Sequence, residues 1–112
     1  MSRDSLENRV AFITGGGGGV GKCTGRAMLE KGAKVVLADI SEENLKKAAN
    51  ELIALNPDYK GRVEVVRVDL TSVDSIEKAL DLAEKFFGPM NILVNAAGVF
   101  SVRDLLDVPE KE

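Results

Sequence analysis

The sequence predicts an α/β fold, a doubly wound parallel sheet built in the order βαβαβαβ, and three observations carry that prediction. Four short apolar segments, VAFIT at 10–14, VVLA at 35–38, Val63, Val65, Val66 and Val68, and ILV at 92–94, read as strands, the first of them with the continuity of a strand buried on both faces. Between them, apolar residues recur at i, i+3, i+4 and i+7, the period of helices that cover a sheet. Strict alternation of the two patterns requires crossovers between parallel strands, and right-handed crossovers distribute the helices over both faces.

Taken in order, Val10 to Thr14 forms the first strand, and glycines follow at once. In the next helix Val20, Cys23, Ala27 and Met28 fall on one side, expected to face the sheet, and Gly32 after Lys31 gives the stop. Val35 to Ala38 makes a second strand closed by Asp39. Ser41 can cap the second helix, with Glu42 and Glu43 in its first turn favouring the helix dipole. Leu45, Ala48, Ala49, Leu52 and Ile53 form its covering face, and it ends before Asn56-Pro57. Val63, Val65, Val66 and Val68 make a third strand that runs to Asp69. Thr71 and Asp74 resemble a capping box for a helix marked by Val73, Ile76, Leu80, Ala83 and Phe87 and terminated by Gly88-Pro89. Ile92, Leu93 and Val94 then lead into Asn95-Ala96-Ala97-Gly98.

The chain has 112 residues, enough for a single domain over 1–112 that buries roughly 60–70% of its unfolded surface. Its net charge of −3, with both signs interspersed, offers no basic stripe, so nucleic acid is not expected as a partner. No apolar run approaches the ~20 residues of a membrane span, and the N-terminus lacks a signal-peptide core. A cytoplasmic protein with no membrane association is expected. The absence of histidine removes Ser-His-Asp chemistry and HExxH zinc sites, and no metal site is expected. Cys23 stands alone, which fits a reducing compartment; a small packing residue facing the sheet is its expected role.

Residues 14 to 22, Thr-Gly-Gly-Gly-Gly-Gly-Val-Gly-Lys, carry the chemistry. Each glycine costs roughly 0.5–1 kcal/mol against alanine in ordered structure, so such a run needs a reason. Bare backbone at a helix N-terminus, where unpaired N–H groups and a partial positive charge can meet a pyrophosphate, is that reason. The run fits two templates. Gly16, Gly18 and Gly21 satisfy GxGxxG, while Gly16, Gly21 and Lys22 begin the P-loop pattern GxxxxGK, with Cys23 where Ser or Thr should follow. A thiol is a poor Mg²⁺ ligand. Asp39 lies about 20 residues beyond the glycines, the spacing at which a carboxylate accepts the ribose hydroxyls of NAD. With Ile40 beside it, nothing would neutralise the 2′-phosphate of NADP, so the pattern favours NAD. Ligands of open parallel sheets bind beyond the carboxyl ends of the strands, and the glycine run, Asp39, Asp69 and the segment after the fourth strand all lie there.

Together these residues resemble the classical short-chain dehydrogenase/reductase family. Thr14, Gly15, Gly19 and Gly21 match TGxxxGxG, Asp69 with Leu70 matches the family's adenine-bordering pair, and Asn95 to Gly98 matches NNAG, with Ala96 in place of the second Asn. Asn91 stands where many members have Asp. The resemblance implies a Rossmann-type sheet, truncated here to βαβαβαβ, that binds NAD through Gly15, Gly17, Gly18, Gly19, Val20, Gly21, Asp39, Ile40, Asp69, Leu70, Asn95, Ala96 and Gly98. It is most similar to the NAD-using alcohol and 15-hydroxyprostaglandin dehydrogenase type. The family's catalytic Tyr and Lys form a YxxxK motif, with a Ser, beyond the fourth strand. The only tyrosine here is Tyr59, followed four residues later by Val63, so no catalytic residue is expected in this chain. It reads as an N-terminal cofactor-binding half, inactive alone; an alcohol or ketone substrate is expected only in a full-length form, where hydride would pass between it and NAD. Two other readings stand beside this one: a non-catalytic half-Rossmann module that holds a nucleotide or associates through the edge of the fourth strand, and a P-loop nucleotide hydrolase.

Overall fold

The computed structural model describes residues 5–96. Along them run β1 (Val10–Thr14), α1 (Gly19–Glu30), β2 (Lys34–Asp39), α2 (Glu42–Leu55), a single 3-10 turn (Pro57–Tyr59), β3 (Val63–Arg67), α3 (Val73–Phe87) and β4 (Ile92–Asn95). The four strands form one parallel sheet in the order β3-β2-β1-β4. Phe12 of β1 lies opposite Val36 of β2 and Leu93 of β4, and Thr14 lies opposite Ala38 and Asn95.

Side chains alternate between sheet faces, and the alternation divides the core in two. Ala11, Ile13, Val35, Leu37 and Val63 pack with Leu29 of α1 and Leu45, Ala48 and Leu52 of α2. Phe12, Val36, Ala38 and Val66 pack on the other face with Ile76, Ala79 and Ala83 of α3. The sheet is therefore doubly wound, as the alternating pattern predicts. All of β1 is buried, whereas every residue of β4 is half-buried.

Three local expectations are corrected. On α1 it is Gly21, Gly25 and Leu29 that are buried, while Cys23 and Ala27 are exposed and Val20 keeps 68% of its surface. Gly25 faces the core, where a Cβ would sit in ordinary contact with Leu37, Leu52 and Val35. Glycine carries no apolar side chain, so an apolar count passes over this face. On α3 the cap is Ser72, whose Oγ accepts the Ser75 N–H at 3.1 Å, not Thr71. The Thr71 hydroxyl is spent on Asp69, to whose Oδ1 it donates at 2.6 Å. Finally, β3 ends at Arg67, and Val68 continues past it only through an N–H donated to Asp39 O at 2.9 Å.

Polar clasps hold the ends of these elements. Asn91 donates its N–H to Val10 O and accepts the Val10 N–H on Oδ1, both at 2.9 Å, so β4 starts in register with β1. An Asp oxygen could accept the same bond. Arg62 Nη2 donates to Leu29 O at 2.6 Å and Ala33 O at 2.9 Å, tying the end of α1 and the turn after it to the start of β3.

Candidate functional site

At the carboxyl ends of the strands, the chain leaves a cavity of about 410 Å³ lined by Gly15, Gly18, Asp39, Ile40, Val68, Leu70 and Ala96. That volume lies within the roughly 300–1,000 Å³ of small-ligand sites. All four strand ends contribute. The chain leaves β1 for one face of the sheet and reaches β4 from the other, so the cavity sits at the topological switch point.

The glycine loop divides sharply by what surrounds each residue. Gly15 takes φ +72°, which turns the chain out of β1. A Cβ on Gly16 would meet Leu37 Cβ at 2.7 Å and Leu37 Cα at 2.9 Å, and one on Gly21 would collide with Gly15 O. These glycines are required by the fold itself. Gly18, in contrast, has only Gly15 O at 3.6 Å, and Gly19 has nothing within 4 Å. Gly18 is also the N-cap of α1 and supplies no side-chain cap, leaving first-turn N–H groups without that partner.

Asp39 reaches across to this loop. Its Oδ2 accepts the Gly17 N–H at 3.0 Å and its Oδ1 accepts the Ser41 N–H at 3.3 Å. Ile40 beside it is 52% exposed at the cavity rim. Asp69 is arranged differently: its Oδ1 accepts both the Thr71 hydroxyl and, at 3.0 Å, the Thr71 N–H. That hydroxyl bond, then the backbone one, holds its carboxyl below the usual Asp value. Its neighbours Val68 and Leu70 line the cavity. Val68 was expected only as a strand residue; its place just before a strand-ending Asp is the signal for it. On the far side Thr14 Oγ1 donates to Val94 O at 3.3 Å and Asn95 Oδ1 at 3.2 Å, and Ala96 N donates to Thr14 O at 3.0 Å. These bonds fix Ala96 at the cavity wall. Gly98 lies outside the described residues.

Residues 9–112 match the short chain dehydrogenase family. The chain belongs to that family. Among its relatives, 3beta-hydroxysteroid dehydrogenase 2 of Eggerthella lenta is 37% identical over 107 residues, covering 96% of this chain and 39% of that protein. Among solved structures, the C-domain of a bacterial malonyl-CoA reductase with NADP superposes with a TM-score of 0.79 at 30% identity, covering 86% of this chain and 16% of that one. The 3-ketoacyl-(acyl-carrier-protein) reductase of Brucella melitensis complexed with NADH gives 0.69 at 30% identity, covering 80% and 34%. The chain thus spans about two fifths or less of the length of these proteins.

Within a short-chain dehydrogenase, the remaining candidates fall into place. A P-loop lysine must reach over its loop to phosphate, but Lys22 Nζ pairs with Glu51 Oε1 on α2 at 2.5 Å. The hydrogen bond raises the Lys22 pKa and lowers that of Glu51. Tyr59 is buried among Leu45, Leu52 and Val63, with the Arg62 guanidinium 5.5 Å from its ring centroid. It precedes β3, at the opposite end of the strands from the cavity.

Proposed function

We propose that this chain is the NAD-binding part of an oxidoreductase that moves hydride between an alcohol carbon and the nicotinamide ring. The observation that carries the reading is Asp39, a carboxylate at the cavity wall with Ile40 beside it and no cationic side chain in the lining. Two carboxylate oxygens match the vicinal hydroxyls of an adenosine ribose, and a 2′-phosphate would be repelled. The open space at Gly18 and Gly19 fits the same cofactor, because the protein itself makes no use of the missing side chains there. Gly17 to Gly21 would face the pyrophosphate, Val20 on the first turn included. Val68, Asp69 and Leu70 would border the adenine, and Asn95, Ala96 and Gly98 the nicotinamide side. Bound NAD supplies a ring carbon that accepts or returns hydride; the substrate would be an alcohol or ketone held by the full-length protein.

Residues 1–112 are read as one dinucleotide-binding unit, at home in the cytoplasm, where an exposed lone thiol such as Cys23 stays reduced. No helix among the described residues is long and apolar enough to cross a membrane. Titration of the chain with NAD and NADP tests the reading: NAD should bind more tightly, and tighter NADP binding would refute the assignment of Asp39. A second reading, self-association along β4, is favoured by that strand's half-buried side chains and its position at the end of the described sheet. Light scattering over a dilution series would show a concentration-dependent mass if it holds and a constant monomer mass if it does not.

A further inference from the structure

Gly17 occupies a variable position of TGxxxGxG, and its surroundings give it a task of its own. Its N–H donates to Asp39 Oδ2 at 3.0 Å, across 22 residues of sequence. A Cβ built on it would lie 2.9 Å from Asn44 Cβ, 3.0 Å from Asp39 Oδ2 and 3.3 Å from the Asn44 carbonyl carbon. The loop is thus wedged between the carboxylate and the first turn of α2. From the other side, the Ser41 N–H reaches Asp39 Oδ1 at 3.3 Å.

We infer that Gly17 is a positioning and specificity-determining residue: its amide, with that of Ser41, sets the orientation of the Asp39 carboxylate and so the recognition of the adenosine 2′-hydroxyl. The inference rests on the NAD reading of Asp39 and deepens it. A carboxylate has about four lone-pair sites, and the two backbone amides use one on each oxygen. The remaining sites are held in fixed directions rather than sampled by a rotating side chain. A methyl added at position 17 forces the loop to move: Asn44 Cβ is rooted in α2, so shifting the carboxylate alone leaves the 2.9 Å contact in place. As the loop draws back from α2, the residue 17 amide leaves Asp39 Oδ2, and the fixed acceptor pair is lost although Asp39 is still present.

The test compares the affinity of this chain for NAD and for its 2′-deoxyadenosine analogue. The unsubstituted chain should favour NAD. Gly17→Ala should lose most of that preference, by roughly three- to tenfold, the range expected when a preorganised side chain becomes free. Gly19→Ala, placed where a Cβ meets no protein atom, should weaken both ligands by one common factor and keep their ratio. A merely structural role for Gly17 would also keep the ratio, and that result would overturn the inference. Asp39→Ala separates the two levels: a ratio unchanged there refutes the NAD reading, whereas a ratio lost there but kept in Gly17→Ala refutes only the role of Gly17. Failure of the folded chain to bind either ligand would refute both. Should Gly17→Ala not fold, the Gly17 amide proton resonance in Asp39→Asn decides. An upfield move larger than for any other loop amide is expected, and no move would overturn the inference.

Discussion

Two strand ends that look alike in the sequence are used in opposite ways. β2 ends at an aspartate and β3 is followed by one two residues on, and each aspartate precedes a serine-capped helix. Asp39 spends its oxygens on the Gly17 and Ser41 amides, the first 22 residues away, and so ties the β1–α1 loop to β2 while standing in the cavity wall. Asp69 turns back on Thr71, two residues on, and leaves the wall to Val68 and Leu70. Both aspartates accept an amide two residues on, from Ser41 and from Thr71; what separates them is the second bond, a distant loop amide for Asp39 and the Thr71 hydroxyl for Asp69. The first ties two segments together at the cavity wall, and the second shapes only its own turn.

The largest expected effect breaks this contrast at the ligand. Asp39→Ala should weaken NAD binding by about ten- to a hundredfold, the loss of hydrogen bonds to a charged acceptor, and should narrow the gap between NAD and NADP. Asp69→Ala should cost no more than about threefold in the same titration, because Val68 and Leu70 line the cavity there and the Asp69 carboxylate does not. Equal losses in calorimetric titrations of both variants would show that the two turns are functionally equivalent after all.

A smaller effect sharpens the comparison by testing what the turns share. Ser41 accepts the Asn44 N–H at 3.2 Å, and Ser72 accepts that of Ser75 at 3.1 Å. Removing either cap with alanine should cost about 1 kcal/mol of stability in urea unfolding. Matching losses would place the difference between the turns at their carboxylates. A much larger loss for one serine would mean that its turn carries another structural burden.

Much of this was legible in the sequence. The strands and their order along the chain follow from short segments rich in Val, Ile and Leu, and β1 is found at Val10–Thr14 as read. The Ser41 cap is legible too, because no rival hydroxyl adjoins it. The α1 face was legible only at Met28, which packs against the core beside Leu29; Gly21 and Gly25, which carry the rest of the buried face, give no hydrophobic signal. The α3 cap slipped by one residue because Thr71 and Ser72 are both good caps, and a tertiary detail, the Asp69 carboxylate, takes the first of them. Within the glycine run, uniform letters hide three different environments: backbone of β2 against Gly16, a carboxylate against Gly17, and open space at Gly19.

The smallest effect concerns acid. The Thr71 hydroxyl, followed by its backbone amide, lowers the Asp69 pKa in the folded chain. A carboxyl depressed on folding stabilises the protein fully above its unfolded pKa, and that contribution fades as pH falls through the unfolded and then the folded value. Thr71→Val deletes the hydroxyl bond and keeps the amide, so the Asp69 pKa should rise toward the usual Asp range in a ¹³C carboxyl titration. The variant should be slightly less stable than the parent at neutral pH, and the two should converge in acid once Asp69 is protonated in both. Glu51 is lowered by the hydrogen bond from Lys22 and loses its contribution in the same direction, but Thr71→Val leaves that pair untouched. A stability difference that persists in strong acid would assign the effect of Thr71 to packing rather than to the Asp69 charge, and the contrast between the two strand-ending aspartates would lose its electrostatic basis.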